Sequence, residues 1–108
     1  FPCDQFKQEP GSPAEIAAFY ADKFGVTFPL FAKGDVNGPD AHPLFAFLKE
    51  ATKDQAAPVP PWNNKGQAAT DVMWNFTKWL VVDGTPTKRY SYDVKPEAIE
   101  ADIAAALN

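Results

Sequence analysis

Apolar and polar positions change period several times along the 108 residues, and each change marks an element. Over 11–25, Ile16, Phe19, Tyr20 and Phe24 recur at i, i+3, i+4 and i+8, the spacing of one helix face. The ends are punctuated too. Ser12 suits the N-cap, Pro13 the first helical position and Glu15 the third, which closes an S-x-x-E box, while Gly25 can take the left-handed conformation that ends a helix. This pattern predicts a helix with that stripe buried. Residues 26–32 are apolar but interrupted by Pro29, which predicts an edge or irregular strand. Asn37-Gly38-Pro39, within 35–40, is a turn signal. A second helix is expected from about Ala41, with Pro43 near its start and Leu44, Phe45, Phe47, Leu48 and Ala51 buried. Periodicity then vanishes over 53–71, where Pro58, Pro60, Pro61 and Gly66 mark a surface insertion long enough to be functional or interfacial. Residues 76–82 are rich in β-formers, Asp83-Gly84 suits a hairpin turn, and 87–92 supply the returning strand. Pro96 opens a last helix with Ile99, Ile103, Ala106 and Leu107 as its apolar face. The order is helix, strand, helix, insertion, β-hairpin, helix.

Composition narrows the picture. Hydrophobic residues make up 45% and charged residues 22%, as expected of one ordered globular domain over 1–108 that carries the 53–71 insertion. The net charge is −4 and the ten Lys and Arg are scattered, which argues against nucleic acid as a partner. No uninterrupted apolar run is longer than a few residues, so no segment is expected to span a bilayer. A cytoplasmic location is the default expectation. The chain opens on Phe1-Pro2-Cys3 without an initiator Met, and the natural start is expected upstream. Cys3 is the single cysteine, which excludes an internal disulfide and a Cys-only zinc site.

Three segments in order resemble the glutathione peroxidase family. Phe1-Pro2-Cys3-Asp4-Gln5-Phe6 with Gln8-Glu9-Pro10-Gly11-Ser12 is similar to that family's F-P-C-N-Q-F-G-x-Q-E-P-G. Phe28-Pro29-Leu30-Phe31-Ala32-Lys33, Asp35-Val36-Asn37-Gly38 and Ala41-His42-Pro43-Leu44 form the second segment. Trp74-Asn75-Phe76-Thr77-Lys78, with Asp83-Gly84 and Lys88-Arg89-Tyr90 after it, forms the third. Two departures stand out: Asp4 replaces the usual Asn, and the first loop is one residue short because the Gly after Phe6 is missing. The resemblance implies an α/β, thioredoxin-like fold, incomplete here, with a mixed sheet that ends in the C-terminal β-hairpin and is flanked by helices.

The resemblance also implies chemistry. Such enzymes reduce hydrogen peroxide and organic hydroperoxides with a Cys or selenocysteine nucleophile, expected in a segment upstream of Phe1, and have no other cofactor. Its partners map by motif onto Gln5, Trp74 and Asn75. A thiol attacks O–O as the thiolate, and a free Cys has a pKa of about 8.5, so the anion needs stabilising. Amide and indole N–H groups are neutral donors that can do this, each worth roughly 2.7–4 kcal/mol in ideal geometry. Lys88 and Arg89 are the residues left to bind a thiol co-substrate. Thioredoxin-dependent members carry a resolving Cys where this chain has Tyr20 and Ala21, so glutathione is favoured by elimination. The Arg pair of glutathione-using members is replaced by Tyr92 and Asp93, which weakens that preference.

Bland readings compete at several positions. Cys3 is expected to be a buried structural thiol rather than the attacker, and His42 to pack at a helix start rather than bind metal. Asp35-x-Asn37 begins like a calcium loop, but its Gly comes too early and no Glu follows at the twelfth position. Asn75-Phe76-Thr77 is a glycosylation sequon, read here as coincidental because a glycan would block a pocket-lining Asn. Trp62 either packs at a subunit interface of a homo-oligomer or folds back on its own domain. The rival reading is a non-catalytic thioredoxin-fold binding module; a second is a thioredoxin-dependent peroxidase whose resolving Cys also lies upstream. Without the neighbouring strands of such a sheet, the chain is expected to expose a broad apolar face and to be unstable and inactive alone. Thermal melting followed by far-UV circular dichroism should therefore show no cooperative transition for the isolated 108 residues; a sharp one contradicts this expectation.

Overall fold

The computed structural model describes residues 1–63 and 68–108, in two compact units, Phe1–His42 and Pro43–Asn108. In the first unit, helix α1 spans Pro13–Phe24 with the expected punctuation. Glu15 N donates to Ser12 Oγ at 3.2 Å and Ser12 N to Glu15 Oε1 at 3.1 Å, so two orphan donors are satisfied reciprocally. The same bonds hold the Glu15 carboxyl below its usual range, the backbone N–H of Ser12 contributing most. Gly25 ends the helix at φ 59 and donates to Ala21 O at 3.0 Å.

The stripe behaves differently from its pattern. Ile16 alone of the four is buried; Phe19 and Phe24 are exposed and Tyr20 is half-buried. Periodicity says which residues share a face, but burial needs a second layer against that face. The three aromatics instead pack on one another, with Phe19 edge-on to Tyr20 at 5.2 Å and to Phe24 at 6.0 Å. Residues 26–32 form no strand, correcting that expectation: Pro29 lacks the N–H a ladder requires, and the described sheet is the C-terminal hairpin alone. The segment 33–42 is held by polar contacts instead. Lys33 Nζ donates to Gly11 O at 2.6 Å and to Glu9 O at 3.1 Å, and Gly34 N to Pro2 O at 3.1 Å. The turn at Asn37-Gly38-Pro39 forms, with Gly38 at φ 83.

The second unit opens with α2, Pro43–Ala51. It starts two residues after Ala41 because Ala41 N and His42 N close the preceding turn on Gly38 O and Asp35 O, and a residue before Pro disfavours helix. Its buried face is Phe45, Leu48, Lys49 and then Thr52, while Leu44, Phe47 and Ala51 face solvent. The helical spacing was right and the phase was wrong, because two of the buried positions are polar and draw no attention in an apolar pattern. Lys49 is compensated by Asp71 at 3.7 Å. Thr52 is 0% exposed; its Oγ1 donates to Leu48 O at 2.7 Å and accepts the Trp79 indole N–H at 3.0 Å.

The 53–71 insertion contains two short 3-10 turns, Lys53–Gln55 and Pro61–Asn63, and its Gly66 lies outside the described residues. Strands β1, Lys78–Val82, and β2, Thr85–Tyr90, pair antiparallel around Asp83-Gly84, both at positive φ as a tight hairpin demands. The register shifts between Leu80 and Val81, so β2 carries a bulge at Thr87. Gln55 docks its amide on β2, donating to Thr87 O at 3.3 Å and accepting from Arg89 N at 3.0 Å, which satisfies part of the strand's outer edge. The last helix begins as a 3-10 turn, Pro96–Ile99, and continues as α3, Glu100–Leu107. Its Ile103 and Leu107 are exposed, correcting the expected apolar face, since polar contacts dock it instead. Thr52→Val should destabilise the intact protein by about 1–3 kcal/mol in chemical denaturation, because it strands the Trp79 N–H at a similar side-chain volume.

Candidate functional site

Gln5 lies in the loop after Phe1, whose local shape explains the short motif. Lys7 N donates to Asp4 O at 2.9 Å, and Lys7 takes φ 61, the left-handed conformation that glycine adopts without strain. Asp4 supplies the acceptor that Asn would: its Oδ1 receives Glu9 N at 2.9 Å. Glu9 in turn accepts the Tyr20 hydroxyl at 2.9 Å, which raises the Tyr20 pKa and ties the loop to α1.

Gln5 is clamped. Its Oε1 accepts from Val36 N at 2.8 Å and Asn37 N at 2.9 Å, and its Nε2 donates to Asn37 O at 2.8 Å. The carboxamide pairs with that backbone as a strand would, which sets its orientation. A carboxamide nitrogen has two hydrogens, and one is committed here. Cys3 belongs to the same knot: its Sγ accepts Gln5 N at 3.4 Å and donates to Gln5 Oε1 at 3.5 Å. His42 packs edge-on against Phe1, with ring centroids 5.3 Å apart.

Trp74 and Asn75 lie in the second unit, half-buried in the turn that leads into β1. Phe76, 79% exposed, takes φ 66 there, a conformation uncommon for a bulky residue. Thr77 Oγ1 reaches back to Trp74 O at 3.5 Å. The turn is fixed on both sides. Before it, Val72 and Met73 are buried, and Arg89 grips the carbonyls of Thr70 and Asp71, each at 2.9 Å. After it, Lys78 Nζ donates to Val94 O at 2.5 Å, Ser91 O at 3.2 Å and Tyr92 O at 3.4 Å, which uses an ammonium's three donors. Burial pushes the Lys78 pKa down, with Asp93 opposing.

The two basic residues expected to bind co-substrate separate in role. Arg89 is 8% exposed, its guanidinium 5.2 Å from the Trp79 ring centroid, so its charge faces the interior of the unit. Burial lowers its pKa and Asp71 opposes that. Lys88 is exposed and donates to Asp102 Oδ1 at 2.6 Å. The other oxygen of Asp102 accepts the Tyr90 hydroxyl at 2.7 Å, a lock that docks α3 on β2. Sequence reasoning quoted Lys78 and Tyr90 only as motif letters and did not single out Asp102, since a lysine's carbonyl partners 13–16 residues away leave no spacing signal. The Trp62 ring lies edge-on to Trp74 at 5.1 Å and to Tyr92 at 6.1 Å.

Comparisons with known proteins agree with the motifs. The glutathione peroxidase family pattern matches residues 1–49. Hydroperoxy fatty acid reductase gpx1 of Synechocystis sp. is 50% identical over 109 residues, covering 99% of this chain and 61% of that protein. Thioredoxin/glutathione peroxidase BtuE of Escherichia coli is 43% identical over 107 residues, covering 90% of this chain and 58% of that protein. The crystal structure of T. cruzi GPX1 matches with a TM-score of 0.63 and 33% identity, covering 99% of this chain and 57% of that one. The chain thus spans about three-fifths of the curated relatives' length (61% of the first). Its α/β fold is of the thioredoxin-like kind these structures share.

The lock on α3 gives the second unit a pH signature. The Tyr90 pKa is pushed up to about 12 from 10.0, by burial first and then by Asp102. A raised folded-state pKa contributes stability that is complete below 10.0 and lost as pH rises towards about 12. Asp102 is held below its usual value, mainly by Lys88, so its contribution is lost instead as pH falls below 3.8. Tyr90→Phe should flatten the alkaline limb of the unfolding free energy and remove the highest-pH tyrosinate transition in ultraviolet absorbance.

Proposed function

The chain belongs to the glutathione peroxidase family, and we propose that it works as a thiol peroxidase, reducing hydrogen peroxide and organic hydroperoxides at the expense of a thiol such as glutathione. The observation that supports this most directly is the 50% identity over 99% of the chain to a relative named as a hydroperoxy fatty acid reductase. In this reading Gln5, Trp74 and Asn75 supply the neutral donors around the reacting chalcogen. The chalcogen anion bonds one peroxide oxygen as the O–O bond breaks, and the departing oxygen takes that bond's electron pair and is released as water or an alcohol once protonated. Two thiol molecules then return the chalcogen–OH group to its starting state and leave as a disulfide and water. Donors already fixed in place stabilise this shift without reorganising. The Gln5 amide, locked on Asn37, and the Trp74–Asn75 turn, braced by Arg89 and Lys78, have that character.

Cys3 is not the attacking group in this reading. Its thiol is engaged within the Gln5 loop, where it helps set the shape of that loop. Lys88 is the surface-facing member of the basic pair and the better candidate for a glutathione carboxylate. Thioredoxin as reductant is the second reading, favoured by the name of the relative BtuE. Peroxide-dependent oxidation of glutathione, with thioredoxin tested in parallel, should be measurable for the intact protein. Trp74→Phe should lower kcat by about a hundredfold, the effect of removing one preorganised donor, and Cys3→Ser should leave turnover in place. Full activity in Trp74→Phe, or complete loss in Cys3→Ser, sinks the assignment.

A further inference from the structure

The 53–71 insertion places a third tryptophan against the proposed site. We propose that Trp62 is a positioning residue, which holds the Trp74 indole in its working orientation; this rests on the peroxidase reading of Trp74. Trp62 is 58% exposed, so it is poorly placed to act as core. Even so, it meets Trp74 at 5.1 Å and 79° and Tyr92 at 6.1 Å and 73°, edge-to-face geometries that aromatic quadrupoles favour.

The approach to Trp62 is stiff. Pro58, Pro60 and Pro61 restrict the backbone leading to it, Pro60 is buried, and Pro61–Asn63 forms a 3-10 turn. Tyr92, on the other side, belongs to the segment whose carbonyls Lys78 gathers. Trp62 thus bridges two anchored pieces of chain. The backbone braces around Trp74 fix its Cα, but they leave the two side-chain torsions of the indole to be set by whatever the ring touches. An indole whose N–H must meet charge developing on oxygen gains from being held in advance, because misaimed donors must reorganise during the reaction.

The test compares Trp62→Ala and Trp62→Phe in the intact protein, with peroxide kinetics, thermal melting and near-UV circular dichroism read together. Trp62→Ala is expected to lower kcat roughly three- to tenfold, the range of one aromatic pair, with little change in KM for peroxide. Trp62→Phe, which keeps a ring in place, should restore most of the rate. The near-UV signal of the coupled indoles should be lost from Trp62→Ala at a temperature where the variant is still folded. An unchanged kcat in Trp62→Ala overturns the proposal. So does a fall matched by loss of folded protein, or a Trp62→Phe variant as slow as Trp62→Ala. Wild-type protein with no peroxide turnover removes the peroxidase reading and this inference together, whereas an active wild type with an indifferent Trp62 removes this inference alone.

Discussion

The second unit depends on a guanidinium placed where apolar packing would be expected. Arg89 lies beside the Trp79 ring and donates to the carbonyls of Thr70 and Asp71. A buried cation without such partners is strongly destabilising, so its partners are required as much as they are helped. Their positions then follow. The end of the insertion is pulled onto the hairpin, Val72 and Met73 are buried behind it, and Trp74 emerges at a defined point. Trp79 completes the arrangement, with Phe45 edge-on at 5.8 Å and its N–H on Thr52. One strand residue therefore joins α2, the insertion and the hairpin, and it fixes the turn that carries the proposed donors.

In the first unit a neutral group does the comparable work. The Gln5 amide bonds the N–H and C=O of Asn37 as a neighbouring strand would. Around it, Lys33 and Glu9 tie the same loop to the segments on either side. Both units thus rely on polar side chains that bond backbone: Gln5 and Lys33 in one, Gln55, Lys78 and Arg89 in the other. Each such bond is worth about 1 kcal/mol net, but leaving a buried carbonyl or N–H unmade is more expensive, so these contacts specify geometry more than they add stability. That is the property a site built from aimed donors needs.

Local signals were legible wherever one residue's own conformational preference decides the outcome. Ser12, Glu15 and Gly25 marked the ends of α1, Gly38 its turn, and Asp83-Gly84 the hairpin, because caps and positive-φ turns are settled within a few residues. The ordered motifs of the three segments carried the family, and with it the candidate donors. Less was legible where a distant partner decides. Lys49 and Thr52 had no place in the apolar pattern, and their contacts with Asp71 and Trp79 turn the buried face of α2 away from Leu44 and Phe47. Residues 26–32 read as a strand, yet an apolar run needs a neighbouring edge to bond, and Pro29 removes one donor.

The amino-acid sequence by itself determined the helix ends, the hairpin and its turn, and the likeness to the glutathione peroxidase family, since each is written in short runs of residue types. Tertiary structure alone decided that Arg89 turns inward while Lys88 stays at the surface, that Trp62 lies on Trp74, and that α3 is docked by Asp102 rather than by Ile103 and Leu107. The physical reason is the same in each case. A long polar or aromatic side chain can satisfy itself in water or against a partner far along the chain, and only the folded backbone brings that partner within reach.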